Sequence, residues 1–198
     1  MQKRGEQTRE RILQAAMLCF SRSGYSSSGV AEICFEAGVS KGAFYHHFES
    51  KQSVFIELIN SWLSALDANL NTARNHSQDV PVALLEMSGL FDVVFRQASN
   101  RLPMFLEIWL QASRDPAVWE ALITPYMRFQ TFFKDLISSG INEGSLRDVD
   151  SNLAARALLS LAVGLLLQSL LDPVHSEQVQ VAEEGFRIFT NGLRKVDH

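Results

Sequence analysis

Two cysteines in 198 residues, Cys19 and Cys34, are too few for a disulfide framework or a cysteine-ligated zinc site. Both fall on apolar helical faces, which suits small core residues in a reducing cytosol. The chain also lacks a basic excess: its net charge is −4, unusual for a protein that binds nucleic acid along its whole length. No stretch alternates apolar and polar residues with a period of two, so no strand is expected. The greasiest segment, Ala157 to Leu171, is interrupted by Ser160, Gly164, Gln168 and Ser169 and falls short of the about 18 residues a membrane span needs. The opening MQKRGEQTRERI has basic residues with no apolar run behind them, so no signal peptide is expected and the protein is read as cytoplasmic. Internal repeats and low-complexity tracts are absent. So are a nucleophile elbow, a phosphate loop and any His/Glu metal spacing, while the adjacent Glu183 and Glu184 point apart on a helix. An enzyme is therefore not expected, and neither a metal nor a cofactor is called for.

What remains is a chain of helices. With 46% hydrophobic residues it can bury a sizeable core. From Thr8 to Ser23, Ile12, Ala15, Ala16, Cys19 and Phe20 recur at helical spacing, with Arg9, Glu10 and Arg11 opposite. Lys3 and Arg4 precede this helix as a short flexible arm, read as a solvated tail. Another helix runs from Lys51 to about Ala73 on Phe55, Leu58, Ile59, Trp62, Leu66 and Leu70. Further helices are expected from Asp79-Val80-Pro81 to about Ala98, from Pro103 to Ser113, from Asp115-Pro116 to Gly140 or Gly144, from Asp150 to Leu171 and from Glu177 to about Lys195.

The most informative stretch is AEICFEAGVSKGAFYHHFESK, Ala31 to Lys51. Ile33, Cys34 and Ala37 make the apolar side of a short helix. Gly38 can take the left-handed conformation that ends it, Val39 can fill the angle, and Ser40 can accept from the free N–H groups of the next helix. A turn this short between two short helices is a helix-turn-helix connection. The second helix buries Phe44 and Phe48. It leaves Lys41, Gly42, Ala43, Tyr45, His46 and His47 to a partner: small residues that permit close approach, and donors suited to phosphate oxygens or base edges of a DNA major groove. Taken singly, Tyr45 and His47 also read as ordinary surface or packing residues; the spaced set favours DNA. His46 and His47 point about 100° apart on a helix and do not converge on one ion. The charge agrees once it is divided. Through Lys51, seven basic residues face five acidic ones, a balance of +2, and the remaining eleven and seventeen leave −6.

The run GVSKGAFYHHFESKQSVF, behind a serine-capped short helix and a long amphipathic one, resembles the DNA-binding domain of the TetR family of bacterial transcriptional regulators. The resemblance is strongest from Thr8 to Leu58. Ser28 stands where the family more often has Thr, and Gly29 and Cys34 replace other residues, so a looser start to the first short helix is expected. Carried over by position, the resemblance implies phosphate contacts from Ser28, Tyr45, His47 and Lys51, and base-edge contacts from Lys41, Gly42, Ala43 and His46, with Ser40 at the helix tip. It implies an all-α fold: a helix-turn-helix domain over residues 1–51 and a helical ligand-binding and dimerisation domain over 52–198, with the Lys51 helix connecting them. Tyr25 is expected to pack under the helix-turn-helix.

Two features of the second part bear on function. The last two helices are apolar on more than one side, so one face can meet their own domain and another a second subunit. In the family these helices form a two-fold four-helix interface, which nominates Leu158, Leu161, Leu165, Phe186, Phe189 and Leu193; the alternative is that they fill the core of one chain. The middle helices are rich in aromatics. Phe91, Phe95, Phe105, Trp109, Tyr126, Phe129 and Phe133, with Gln168 as a polar anchor, are candidates to line a cavity for a small, largely apolar inducer, or else simply fill the bundle. The function expected is a homodimeric, ligand-responsive regulator, a repressor on a palindromic operator in double-stranded DNA. The competing readings are an all-helical enzyme or carrier, which leaves the helix-turn-helix unexplained, and an activator or nucleoid-type binder.

Overall fold

Among the described residues nine helices follow one another: α1 Gln2–Ser23, α2 Val30–Ala37, α3 Lys41–His47, α4 Lys51–His76, α5 Val80–Ser88, α6 Leu102–Ala112, α7 Pro116–Glu143, α8 Ser151–Leu171 and α9 His175–Leu193. The structure is a computed structural model that describes residues 2–90, 102–171 and 175–195, with the backbone alone at 2, 3, 102–105, 169–171, 175, 176 and 178. Among the described residues there is no strand, and one isolated antiparallel bridge joins Leu146 to Arg194. The fold is all-α, as expected. The first helix begins at Gln2, six residues before Thr8, so Lys3 and Arg4 belong to a helix and not to a free arm. Gln, Lys, Arg and Glu are good helix formers, and the lone Gly5 costs only about 1 kcal/mol against Ala, too little to stop a helix already packed further along.

The helices gather into two compact units. One comprises Met1–Ser64 with Asn100–Ile123, the other Ala65–Ser99 with Thr124–His198. This division differs from a 1–51/52–198 split: the first thirteen residues of α4 beyond Lys51, all of α6 and the start of α7 gather with the helix-turn-helix. Pro125, which removes one ladder hydrogen bond from α7, lies two residues past the point where that helix leaves the first unit.

In the first unit the apolar stripe of α1 (Ile12, Ala15, Ala16, Cys19, Phe20) packs on Ile33, Cys34 and Ala37 of α2 and on Phe44, with Val54, Phe55, Leu58 and Ile59 of α4 also buried. Each large side chain removed from water here stabilises by roughly 1.5–3 kcal/mol. Phe20, Tyr25 and Phe55 form an aromatic cluster with centroids 4.5 to 5.7 Å apart, so Tyr25 packs between α1 and α4. Polar ties flank the core. Arg22 reaches Glu32 at 2.9 Å and Glu36 at 3.7 Å, and Arg9 pairs with Glu57. Exposed pairs of this kind contribute about 0–1 kcal/mol each.

In the second unit α5 packs on α9, and α9 on α8. Asp79 caps α5 by accepting from the Val82 N–H at 2.8 Å. The end of α7 is a close approach. A Cβ on Gly140 would stand 2.6 Å from Leu146 Cδ1 and 3.0 Å from Val80 Cβ, so no side chain fits there. The chain turns back through Gly144 at φ 84°, buries Leu146, and joins the end of α9 through the Arg147 N–H on the Leu193 carbonyl at 2.9 Å.

Helix α8 is, by length and composition, long and apolar enough over Ser151–Gln168 to cross a membrane, contrary to the shorter span expected. Within it Ala154, Ala155, Leu158, Leu159 and Leu165 are buried, and 22% of the span is buried inside the chain. Four of the nominated interface residues, Leu158, Leu165, Phe186 and Leu193, are likewise buried within the single chain, and Leu161 and Phe189 are half-buried. They hold this unit together. Among the described residues, the large apolar side chains that α8 and α9 leave exposed are Leu153, Leu167, Val181 and Ile188.

Candidate nucleic-acid interface

The turn between α2 and α3 is built from three residues with separate tasks. Gly38 adopts φ 61°, ψ 42°, and its N–H and that of Val39 return to the Phe35 and Cys34 carbonyls at 3.1 and 3.0 Å, closing α2. Arg11 donates to the Ala37 and Gly38 carbonyls, the latter at 2.9 Å, so a cation from α1 satisfies acceptors at the negative end of α2. Ser40 then caps α3, its hydroxyl oxygen accepting from the Ala43 N–H at 3.1 Å. Such a cap contributes about 1 kcal/mol and fixes where the helix tip begins.

From that tip, α3 buries Phe44, ends at the extended residue Phe48, and turns the opposite side outward. Ser40, Lys41, Gly42, Tyr45 and His46 are exposed, and Ala43 and His47 half-buried. Tyr45 is 55% exposed, a large value for an aromatic residue lying edge-on to the fully buried Phe44 with centroids 5.3 Å apart. Among the described residues, nothing accepts a hydrogen bond from the Lys41 ammonium or the Tyr45 hydroxyl. A helix only seven residues long thus presents a small-residue tip and a row of unspent donors to solvent.

Two nominated contacts are placed differently. The Ser28 side chain is 2% exposed, and its hydroxyl donates to the Gly24 carbonyl at 2.8 Å. The cap of α2 is instead Gly29, with no side-chain hydrogen bond, so the expected serine cap is not formed. Lys51 is half-buried. Its Nζ donates to the Tyr25 carbonyl at 2.6 Å and the Ser28 carbonyl at 2.9 Å, and stands 4.2 Å from the centre of the Tyr25 ring. Burial pushes the Lys51 ammonium below its ordinary value, with Glu107 pulling the other way. Burial likewise raises Tyr25, helped by Asp115 and Glu107.

Sequence reasoning missed two things here. Phe35, 87% exposed, sits on the outer side of α2, opposite Ile33; the apolar periodicity of α2 already left this position unused. The ties from α6 to the α1–α2 turn carry no local signature at all, because their partners are 85 residues apart: Gln111 Nε2 donates to the Ser26 hydroxyl at 3.3 Å.

The residues nominated for an inducer cavity are divided between the two units and, in part, lie outside the described residues. Phe91 and Phe95 lie outside the described residues, as does the Phe105 side chain. Trp109 belongs to the first unit and is 41% exposed, whereas Tyr126, Phe129, Phe133 and Gln168 belong to the second. There Phe129 and Phe133 are buried, Tyr126 is half-buried, and Gln168 is exposed. A cavity of about 290 Å³ in the second unit is lined by Leu85, Glu86, Ser88, Gly89, Glu183 and Arg187, and by none of those aromatics.

Comparison with known proteins agrees with this geometry. The family profile described as bacterial regulatory proteins, tetR family, matches residues 12–58, and one described as BetI-type transcriptional repressor, C-terminal, matches residues 89–189, half of the chain. The chain belongs to the TetR family. The HTH-type transcriptional regulator UidR of Escherichia coli K12 is 26% identical over 167 residues, covering 84% of this chain and 83% of UidR. Salmonella enterica GusR superimposes with a TM-score of 0.76 at 28% identity over 96% of each chain. A transcriptional regulator from Saccharomonospora viridis, crystallised in complex with choline, gives a TM-score of 0.84 at 21% identity, covering 95% of this chain and 98% of that one, which speaks for the fold alone. Membership of the family makes the chain a ligand-responsive DNA-binding transcriptional regulator. TetR-family proteins are regulators, not enzymes.

Proposed function

We propose that the protein is a cytoplasmic repressor that binds a palindromic operator as a homodimer and leaves it when a small, largely apolar inducer binds the second unit. The observation that carries the DNA part is the outer side of α3, where Lys41, Gly42, Tyr45 and His46 face solvent around a Ser40-capped tip, with Ala43 half-buried among them. A single helix of this size reads a few base pairs; two held about 34–36 Å apart read both halves of an inverted repeat in successive major grooves. Support for the dimer comes from Leu153 and Leu167 on α8 and Val181 and Ile188 on α9, apolar side chains that the chain leaves in water. Support for an apolar inducer comes from the aromatic content of α7, with Tyr126 half-buried above the buried Phe129 and Phe133. The inducer acts by preferring a conformation in which the two recognition helices no longer match the groove spacing, and its effect equals its affinity difference between the two states.

Within the site, Tyr45 and His47 hold phosphates and set affinity, while Lys41 and His46 set base preference, with Gly42 and Ala43 permitting close approach. Gel-shift titration against the inverted repeat beside the protein's own gene and single-base variants of it tests this. Lys41→Ala is expected to remove about 1–3 kcal/mol of discrimination at one base pair per half-site. Tyr45→Phe is expected to weaken all sequences equally. A uniform loss for Lys41→Ala moves it to the phosphate class, and equal affinity of the native protein for every duplex rejects the proposal. Footprinting that shows broad coverage of the promoter, instead of one palindrome, supports a nucleoid-type binder.

A further inference from the structure

We infer that Lys51 is a positioning residue, which supports operator binding by clamping the α1–α2 turn that leads into the helix-turn-helix and not by touching a phosphate. The inference rests on the DNA-binding reading of α3. An ammonium has three donors and no acceptor. Two of the three are spent on the Tyr25 and Ser28 carbonyls at 2.6 and 2.9 Å, and the group lies 4.2 Å from the centre of the Tyr25 ring. That ring is wedged against Phe55 and Phe20, with centroids 4.5 and 5.3 Å away, so the ammonium has little room to leave. Its place in α4 points the same way. Lys51 is the first residue of that helix, where the macrodipole disfavours a cation, so an attraction elsewhere holds it there. Burial also lowers its affinity for a proton, as for an amine already withdrawn from water.

The clamped turn is the joint between α1 and the helix-turn-helix. It opens at Gly24, φ 80°, whose carbonyl takes both the Ser28 N–H at 3.3 Å and the Ser28 hydroxyl at 2.8 Å, and ends at Gly29, the cap of α2. Lys51 fastens both sides of this loop to the start of α4. Helix α6 grips it from elsewhere in the same unit: Gln111 donates to the Ser26 hydroxyl at 3.3 Å and to Glu107 at 2.9 Å, and Glu107 acts on the Lys51 charge. Next to Lys51, Gln52 donates to Asp115 at 2.8 Å. The turn is therefore where α6, through the Ser26 hydroxyl, and the start of α4, through Lys51, hold the same loop, and a shift of α6 reaches the start of α2 through it.

The test is the salt dependence of operator binding by full-length Lys51→Met. Each lost phosphate contact lowers the slope of log affinity against log salt by about 0.9, or about 1.8 for a dimer. The expected result is an affinity lower by about tenfold, the equivalent of lost charge-assisted hydrogen bonds within the protein, with an unchanged slope. A slope reduced by about 1.8 makes Lys51 a phosphate contact, and an unchanged affinity makes it a merely stabilising residue; either overturns the inference. Acetylation footprinting of the native protein gives a measurement independent of the variant's folding. Lys51 is expected to resist acetic anhydride both with and without operator, while Lys41 reacts when free and is protected by DNA. Reaction of Lys51 in the free protein with protection on operator overturns the inference. The free-protein reading stands even if the native chain proves to have no preferred duplex, so failure of the DNA reading and failure of the clamp are told apart. Gln111→Ala is expected to speed amide exchange over residues 24–30, and unchanged exchange removes α6 from the clamp.

Discussion

Gly38 and Gly42 lie four residues apart and are expected to answer the same substitution in opposite ways. At Gly38 the backbone stands at φ 61°, and an added Cβ would come 2.9 Å from Arg11 Nη2, the guanidinium that satisfies the end of α2. Gly38→Ala therefore strains the backbone and displaces a cap, and is expected to cost about 1–3 kcal/mol, read as a lower thermal unfolding midpoint. At Gly42 the same Cβ would meet only Ser40 Oγ at an ordinary 3.8 Å. Gly42→Ala is expected to stabilise the free protein by up to about 1 kcal/mol through helix propensity. If α3 enters a groove at its tip, the same change weakens operator binding; equal affinity in a fluorescence anisotropy titration would show that the tip does not approach DNA closely. The sequence announced both glycines, but which one tolerates a methyl group depends on Arg11, 27 residues away from Gly38 and unmarked by any local pattern.

At the scale of the element, the join between α7 and α8 and the core between α1 and α2 make the clearest predictions. Gly140→Ala places a methyl group 2.6 Å from Leu146 Cδ1 and is expected to cost about 1–3 kcal/mol by overpacking, measured by urea unfolding. The α1–α2 core predicts a dependence on pH. Burial raises the Cys19 and Cys34 thiols above the ordinary 9.0, and raises Tyr25 above 10.0. A group whose folded value is raised contributes stability that is complete below its unfolded value and lost as pH climbs through the folded one. Lys51, lowered from 10.5, acts in the opposite sense: the cost of holding its charge is relieved as pH rises past the folded value. Three raised groups against one lowered group predict an unfolding midpoint that falls from about pH 9 upward. Pairing Cys19→Ala with Cys34→Ala is expected to flatten the part of that fall near pH 9, and an equally steep fall in the double variant would assign it elsewhere.

For the whole molecule, the question is which apolar side chains belong to one chain and which to two. Leu158 is buried in the second unit, so Leu158→Ala is expected to cost about 2–5 kcal/mol of folding stability whatever the protein concentration. Ile188 is 66% exposed, so Ile188→Glu is expected to leave the folded chain intact and, if α8 and α9 carry the dimer, to turn it into a monomer in sedimentation velocity. A dimer that survives Ile188→Glu together with Leu153→Glu would move the interface to another face. Loss of the dimer should take operator affinity with it, because one half-site supplies half the phosphate contacts.

Much of the fold was legible in the sequence. Period-3.6 patterns, the Gly38 stop and the Ser40 cap are local signals, each read within one or two helical turns, and they placed every helix of the helix-turn-helix and the exposed face of α3. Tertiary structure alone decided what pairs across the chain. It started α1 at Gln2, gathered α6 with the DNA-binding end, turned the Ser28 hydroxyl inward, spent the Lys51 ammonium on two carbonyls and sank Leu158 and Phe186 into the interior. A pattern of residue types says that a donor or an apolar face will be satisfied, but its partner is chosen by whichever distant segment the packing brings within 3 or 4 Å, and periodicity carries no record of that.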